Sequence, residues 1–286
     1  MNKKVSVLTD SISCLPEDLV KRYKIGIVPI RLLVQGKTYR DLVDITPTEA
    51  YKLFLQDPER FNTTPSSPGH YLEAYRTAVN GTNDILCVTL SSKLSTGFEM
   101  ARLAKEQAKV ELPQANIEVL DSHNVTAAEG FVALAGARAA ATGKGLAEVV
   151  QVAKQVREKV TFLAFLDTIR YVYRTGRVPK IAAKFGSILS IKPILTSSGG
   201  LIRFKGVARN REQGENRLIE TMRRKVNNHP VHVGVMHAFA LDEANRLRER
   251  IAAEFNCSEL WISEFSPVMG YATGTGTLGL AFYSEN

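Results

Sequence analysis

The 286-residue chain carries 37 Lys and Arg against 29 Asp and Glu, a formal net charge of +8, and 44% of it is hydrophobic. That is long enough for two domains, or one large one, with a full apolar core. Three widely spaced cysteines, Cys14, Cys87 and Cys257, without any Cys-x-x-Cys pair, exclude a disulfide framework and a zinc site and fit a reducing, cytoplasmic compartment.

The start, Met1-Asn-Lys-Lys, is basic, but the apolar stretch behind it breaks at Thr9-Asp10, which reads as a first strand rather than an export signal. No run approaches the roughly 18 apolar residues of a spanning helix. Pro16 starts a helix, and Gly26 to Val34 reads as a second strand before the turn Gln35-Gly36-Lys37. Thr46-Pro-Thr-Glu49 is a capping box with proline at the first helical position. Residues 61–69 read as a loop, and Pro68 opens a helix to about Asn80. A strand at Ile85, a helix from about Ser95, a strand at Ile117 and an Ala-rich helix from about Asn124 to Thr142 follow. Leu146, Val149, Val150, Ala153, Val156 and Val160 then recur at the helical period. Strands alternating with helices predict a parallel sheet.

Beyond a strand from Val160 to Leu166, two short helical pieces are expected around Gly176 and Pro179. Ile188 to Leu195 and Leu201 to Val207 flank Ser-Ser-Gly-Gly, a hairpin signal. Helices from Glu212 to Asn227 and Leu241 to Phe255 alternate with strands at Val231, Leu260 and Leu278. Hairpins imply a mixed sheet. The expected organisation is therefore two α/β domains, residues 1–160 with a parallel sheet and 161–286 with a mixed one.

Three apolar strands end in hydroxyls and Asp: Val5-Ser-Val-Leu-Thr-Asp-Ser11, Ile85-Leu-Cys-Val-Thr-Leu-Ser-Ser92 and Ile117-Glu-Val-Leu-Asp-Ser122. In an open α/β sheet the carboxyl ends of the strands border the ligand crevice. Hydroxyls and helix-start N–H groups suit an oxyanion there. His123 stands at the same rim, but no clear general base accompanies the hydroxyls, which favours binding over covalent catalysis. Gly274-Thr-Gly-Thr-Leu-Gly279 satisfies G-x-G-x-x-G, yet a dinucleotide fingerprint follows a strand and opens a helix with a further β-unit behind it. No phosphate-binding P-loop and no Gly-x-Ser-x-Gly elbow occur, and the five histidines include no His-Glu-x-x-His. No cofactor and no metal are expected.

The positive charge is concentrated. Thr168 to Arg211 holds no Asp or Glu but ten cations, including Arg170, Arg174, Arg177, Lys180, Lys184, Lys192, Arg203 and Arg209. Such a field serves an acidic partner, a phosphate-bearing ligand or an anionic membrane surface. Nucleic acid is disfavoured, because no helix-turn-helix, finger or aromatic stacking motif accompanies the charge.

Seven segments, in order, resemble the motifs of the DegV family: Thr9-Asp-Ser11, Thr63-Thr-Pro-Ser-Ser-Pro68, Ser91-Ser-Lys-Leu-Ser-Thr-Gly97, Val119-Leu-Asp-Ser122, Arg174-Thr-Gly-Arg177, Ile191-Lys-Pro-Ile194 and Gly270 to Gly279. The resemblance implies a cytosolic bacterial fatty-acid-binding protein without enzymatic activity of its own, one that presents a long-chain acyl carboxylate to a separate ATP-using fatty acid kinase subunit. It implies a head group held between the two domains, in contact with Thr63, Ser95, Thr96, Ser122 and Thr273, and a tail in an apolar tunnel of the C-terminal domain. Arg177 and Arg209 match the family's arginines near the partner-docking rim. One departure stands out. Where kinase-associated members read Gly-x-His-Thr-Gly-Pro-Gly, this chain reads Gly270-Tyr-Ala-Thr-Gly-Thr-Gly276, and Ala272 removes a hydrogen-bond donor from the head group. Two other classes stay open on the residues alone: an acyl hydrolase or transferase using Ser95 or Ser92, and a basic regulatory protein that binds nucleic acid.

Overall fold

A computed structural model describes residues 4–178 and 191–285. The chain forms α/β layers around a four-stranded parallel sheet, ordered β2-β1-β6-β7, and a six-stranded mixed sheet, ordered β10-β9-β8-β13-β11-β12. In the first, β1 (Val5–Asp10) lies between β2 (Gly26–Val28) and β6 (Asp84–Thr89), with β7 (Asn116–Asp121) outside β6. The second brings together β8 (Thr161–Phe165), β9 (Lys192–Ser198), β10 (Leu201–Ala208), β11 (Val231–His237), β12 (Cys257–Glu264) and β13 (Leu278–Ser284). A small third sheet, β4-β3-β5, joins β3 (Arg31–Val34), β4 (Lys37–Arg40) and β5 (Phe61–Thr64).

Local chemistry explains most helix boundaries. Helix α1 (Glu17–Tyr23) begins after Pro16 and ends at Lys24, which adopts the left-handed conformation. In α2 (Pro47–Gln56) the expected capping box is formed: Glu49 N donates to Thr46 Oγ1 at 3.3 Å and Thr46 N to Glu49 Oε2 at 2.9 Å. Helix α3 (Pro68–Val79) again starts at a proline, and α4 (Gly97–Glu111) starts two residues after Ser95. Helix α6 (Leu146–Lys159) buries the predicted stripe of Leu146, Val149, Ala153 and Val156. Helices α7 (Arg211–Val226) and α8 (Leu241–Glu254) cover the mixed sheet through Leu218, Met222, Leu247 and Ile251.

Helix α5 (Ala127–Ala141) is apolar apart from Glu129 and Arg138 and is buried almost all round, the mark of a helix with next to no solvent face. It packs against β1 and β6 on one side and β8 and β13 on the other, so one core runs continuously through both large sheets. Its Phe131 lies 5.2 Å, centroid to centroid, from both Trp261 and Tyr283. Burial of a side chain that size contributes about 1.5–3 kcal/mol, and the small Ala residues around it let both sheets approach.

Three expectations require correction. The strand expected from Gly26 to Val34 is two strands in different sheets: Pro29 has no N–H to continue a ladder, and the chain leaves β1 there to pair with β5. The expected loop at 61–69 begins with β5, because Phe61 is buried and Asn62-Thr-Thr64 pairs antiparallel with Arg31–Leu33. Instead of a helical piece around Gly176, residues 169–176 form successive turns, Val172 N donating to Ile169 O and Arg174 N to Tyr171 O. The piece at Pro179, the strand start at Ile188, and Lys180 and Lys184 lie outside the described residues. Unforeseen from the sequence is α9 (Pro267–Thr273), which ends at Gly274.

Candidate ligand-binding site

The carboxyl ends of β1 and β6 do border a cavity, of about 230 Å³, where the parallel sheet meets β8, β9 and β10. The hydroxyls nearest the strand ends, however, point elsewhere. Thr9 Oγ1 donates to Glu129 at 3.0 Å, Ser11 Oγ to Asp41 at 2.8 Å, and Ser91 Oγ to Gly200 O at 2.7 Å; all three serve the interior. The lining from that rim is aliphatic: Ile12, Leu90 and Val125, each shortly past the end of β1, β6 or β7. The mixed sheet supplies Phe162, Ala164, Leu195 and Ile202. Strand alternation sorts β8 cleanly, Phe162 and Ala164 facing the shared core while Leu163 and Phe165 face α7 and α8.

Polar groups gather on one stretch of the wall. Thr63 and Thr64 come from β5, Ser95 from the turn before α4, Thr273 from the end of α9, Arg174 and Thr175 from the 169–176 turns, and Arg177 from just after them. Ser95 Oγ accepts from Gly97 N at 3.2 Å, and no imidazole or carboxylate is hydrogen-bonded to it among the described residues. Thr273 Oγ1 donates back to Met269 O at 2.8 Å, which leaves its lone pairs as acceptors. Arg177 Nε donates to Leu94 O at 3.1 Å, so its guanidinium lies against the segment that presents Ser95.

In the sequence Arg174 belongs to the basic run and heads the segment Arg174-Thr-Gly-Arg177, with no role assigned to it. In the structure it is clamped between the rings of Tyr171 and Tyr271, with its carbon Cζ 4.6 and 5.0 Å from their centroids, while Nη1 donates to Pro58 O at 3.0 Å. It pairs with Glu59 at 3.2 Å. Aromatic residues at both 171 and 271 are the one sequence signal for this clamp. Other cations of the acid-free run are also compensated from just outside it: Lys192 and Arg211 both reach Asp167, at 2.7 and 3.0 Å.

Of the residues named from the family resemblance, the cavity brings together Thr63, Ser95, Thr273 and Arg177, and Ala272 lines it beside them. It does not bring in three others. Ser122 is fully buried, its hydroxyl donating to Asn124 O at 3.2 Å and accepting from Asn124 N at 3.1 Å. Thr96 is exposed at the head of α4 and caps no N–H with its side chain. Arg209 is exposed at the end of β10, its backbone N–H bound to Gln213, and is not part of the lining. His123 is likewise exposed and lies 3.7 Å from Asp121. The glycine-rich 274–279 segment runs from a helix into a strand, the reverse of a dinucleotide fingerprint.

Two devices hold the wall in place. Ser266, which heads α9, donates through Oγ to Asp41 Oδ2 at 2.7 Å, the same oxygen that takes the Ser11 hydroxyl. Burial pushes the Asp41 carboxyl up to about 6, against the lowering effect of those two hydroxyls. The neighbouring Asp10 and Glu129 are raised as well, both chiefly by burial. On the far side, Gly199 and Gly200 turn the β9–β10 hairpin with φ of +57° and +81°. The Ser91 hydroxyl and Lys93 Nζ seize their carbonyls at 2.7 Å each, closing the hairpin over the rim of the parallel sheet. A side chain at position 200 would bring its Cβ within 2.8 Å of Ser91 Oγ.

Comparison with known proteins places this arrangement. The model of a family described as "Uncharacterised protein, DegV family" matches residues 4–285. A DegV domain-containing protein of Streptomyces coelicolor is 30% identical over 100% of both chains. Among solved structures, a fatty-acid-binding DegV family protein from Thermus thermophilus superposes with a TM-score of 0.88 at 26% identity, over 98% of this chain and 99% of its own. A stearic acid-binding protein from Eubacterium ventriosum, 22% identical, shares the fold with a TM-score of 0.87 over 100% and 99% of the two chains.

Proposed function

The chain belongs to the DegV family, and from that membership together with the cavity we propose that it binds one long-chain fatty acid, tail inward and carboxylate toward Thr63, Ser95 and Thr273. The observation that carries this reading is the cavity's division into an aliphatic interior and a wall of hydroxyls with a guanidinium. The likeness to the fatty-acid-binding Thermus thermophilus protein supports it. Most of the affinity would come from the tail, since each buried methylene contributes about 0.8 kcal/mol. Residues 1–160 and 161–286 would act as two units with the head group between them. Arg177 and Arg209 would face an acidic kinase subunit to which the carboxylate is presented, or an anionic bilayer, in the cytoplasm. Binding is favoured over hydrolysis because Ser95 hydrogen-bonds only a backbone N–H among the described residues, and an unactivated serine is a poor nucleophile.

The test begins with organic extraction of protein purified from a bacterial host and mass spectrometry of the extract, which should show close to one long-chain fatty acid per chain. Ser95→Ala and Thr63→Val should each weaken binding by about 1–2 kcal/mol, the cost of removing one hydrogen-bond partner. If folded protein yields no lipid and added fatty acid does not raise its melting temperature, the reading fails.

A further inference from the structure

Among the described residues β12 ends the six-stranded sheet, paired with β11 on one side and with no strand on the other. Every residue of β12 is at least partly exposed, whereas β11 beside it is buried except at His232. The backbone groups on the free side can be assigned. Phe265 N donates to His237 O on β11, and alternate residues of a strand turn their N–H and C=O groups to opposite sides, so Leu260, Ile262 and Glu264 present theirs outward.

Long open edges invite pairing with another chain, and proteins normally blunt them with lysine, proline or a bulge. The other edge of this sheet, β10, is blunted in that way: Arg203 and Lys205 are exposed, and the register shifts between Phe204 and Gly206. Strand β12, Cys-Ser-Glu-Leu-Trp-Ile-Ser-Glu, has no proline, glycine or cation. Its register shift lies at its start, between Val231 and His232, and leaves 259–264 regular.

The strand is also complementary to itself. About Trp261 as centre, Leu260 mirrors Ile262, Glu259 mirrors Ser263, and Ser258 mirrors Glu264. Antiparallel pairing of two copies about that point sets apolar residues against apolar ones and each carboxylate against a hydroxyl, with no two carboxylates opposed. A centre at Ile262 would instead set Leu260 against Glu264 and Trp261 against Ser263.

We propose that two copies of this chain pair through β12, antiparallel across a two-fold axis at Trp261, joining their mixed sheets into one. Leu260 and Ile262 of opposite copies form the hydrogen-bonded pairs, using the outward N–H and C=O groups. Trp261 meets its own copy in a non-hydrogen-bonded pair, where side chains stand closest. The contact is isologous and uses both free edges, so the assembly closes at two chains.

Sedimentation velocity of the full chain tests this. The mass should rise from one chain to two, and no further, as concentration increases to about 1 mM, the range of a weak specific contact. Ser258 is exposed, so its variants probe the register without disturbing the interior. Ser258→Glu opposes Glu264 of the second copy and should weaken the dimer at least threefold, while Ser258→Lys should tighten it at least threefold, because each change acts twice across the axis. Ile262→Pro removes an outward N–H and should abolish the dimer. Trp261 is the chain's single tryptophan, so in the unaltered protein its emission should move to shorter wavelength with the dissociation constant that the mass gives. A single-chain mass at every concentration would leave the edge to a strand of another protein and overturns the proposal. Growth beyond two chains, an emission that does not follow the mass, or Ser258→Glu and Ser258→Lys acting alike overturns it equally.

Discussion

Ala164 is the position at which the acyl cavity can be shortened without touching its polar wall. It is 1% exposed, sits in the middle of β8 and faces the cavity beside Phe162 and Leu195. Ala164→Leu adds three carbons to that space, and they displace about three methylenes of a tail that fills it. At about 0.8 kcal/mol per buried methylene, the loss is about 2.4 kcal/mol, or about 50-fold in dissociation constant. The loss should fall only on chains long enough to reach Ala164. A competition assay across saturated fatty acids from twelve to eighteen carbons should thus show the longest ligands weakened about 50-fold and the shortest little changed. The melting temperature of the ligand-free variant is the control, because leucine enters open space here and should not overpack the core. Uniform weakening at every chain length would refute the reasoning, since it would mean that the substitution disturbs the head-group wall and not the tail; no weakening at eighteen carbons would place the tail elsewhere.

Asp41 keeps its proton to about pH 6 in the fold but only to about pH 4 in an unfolded chain, so the native state loses roughly 3 kcal/mol as pH rises through that window. Burial lowers His237 to about 4 and acts in the opposite direction over the same range, so the readout is the difference between two proteins: urea unfolding of Asp41→Asn and its parent at pH 4 and pH 7 should show the balance moving toward the variant by about that amount, and a constant difference would rule out Asp41 as the source. At Gly270 in α9 an added Cβ would lie 2.0 Å from Tyr51 Cε1, in a ring held by its hydroxyl's 3.1 Å bond to Phe265 O. Gly270→Ala should therefore destabilise by about 1–3 kcal/mol, the usual cost of overpacking, lowering the melting temperature and weakening fatty acid binding together; a variant with unchanged stability would show that α9 can slide away from α2.

Alternating strands and helices, the Thr46–Glu49 capping box and the Ser-Ser-Gly-Gly hairpin were legible because each rests on local chemistry. What the sequence hides is which sheet a strand joins. Gly26 to Val34 reads as one strand, and only the pairing of Leu32 with Thr63 shows that Pro29 is a crossing between sheets. The hydroxyl-rich strand ends border the cavity, but Thr9, Ser11 and Ser91 turn into buried carboxylates and carbonyls, because a polar group next to a strand end is as readily needed for the interior as for a ligand. The grouping of Thr63, Ser95, Thr273 and Arg177, which are up to 210 positions apart, follows from the motif resemblance and not from spacing. Arg174 heads one of the matched motifs, but its clamp is legible in neither, because it depends on two tyrosines a hundred positions apart.

The last strand, β13, lies in the interior of the mixed sheet, antiparallel to both β8 and β11. During synthesis, β8 to β10 and then β11 with β12 emerge as two fragments, each with an open hydrogen-bonding edge, and residues 278–284 arrive last to join them. Until then α5 lacks its contact with β13, and both edges invite pairing with another chain. Proteolysis that removed those seven residues would recreate that state in a finished molecule. Clipping there would turn a well-packed protein into an acceptor for foreign strands, so aggregation in aged preparations should track loss of the C-terminal strand before any other change.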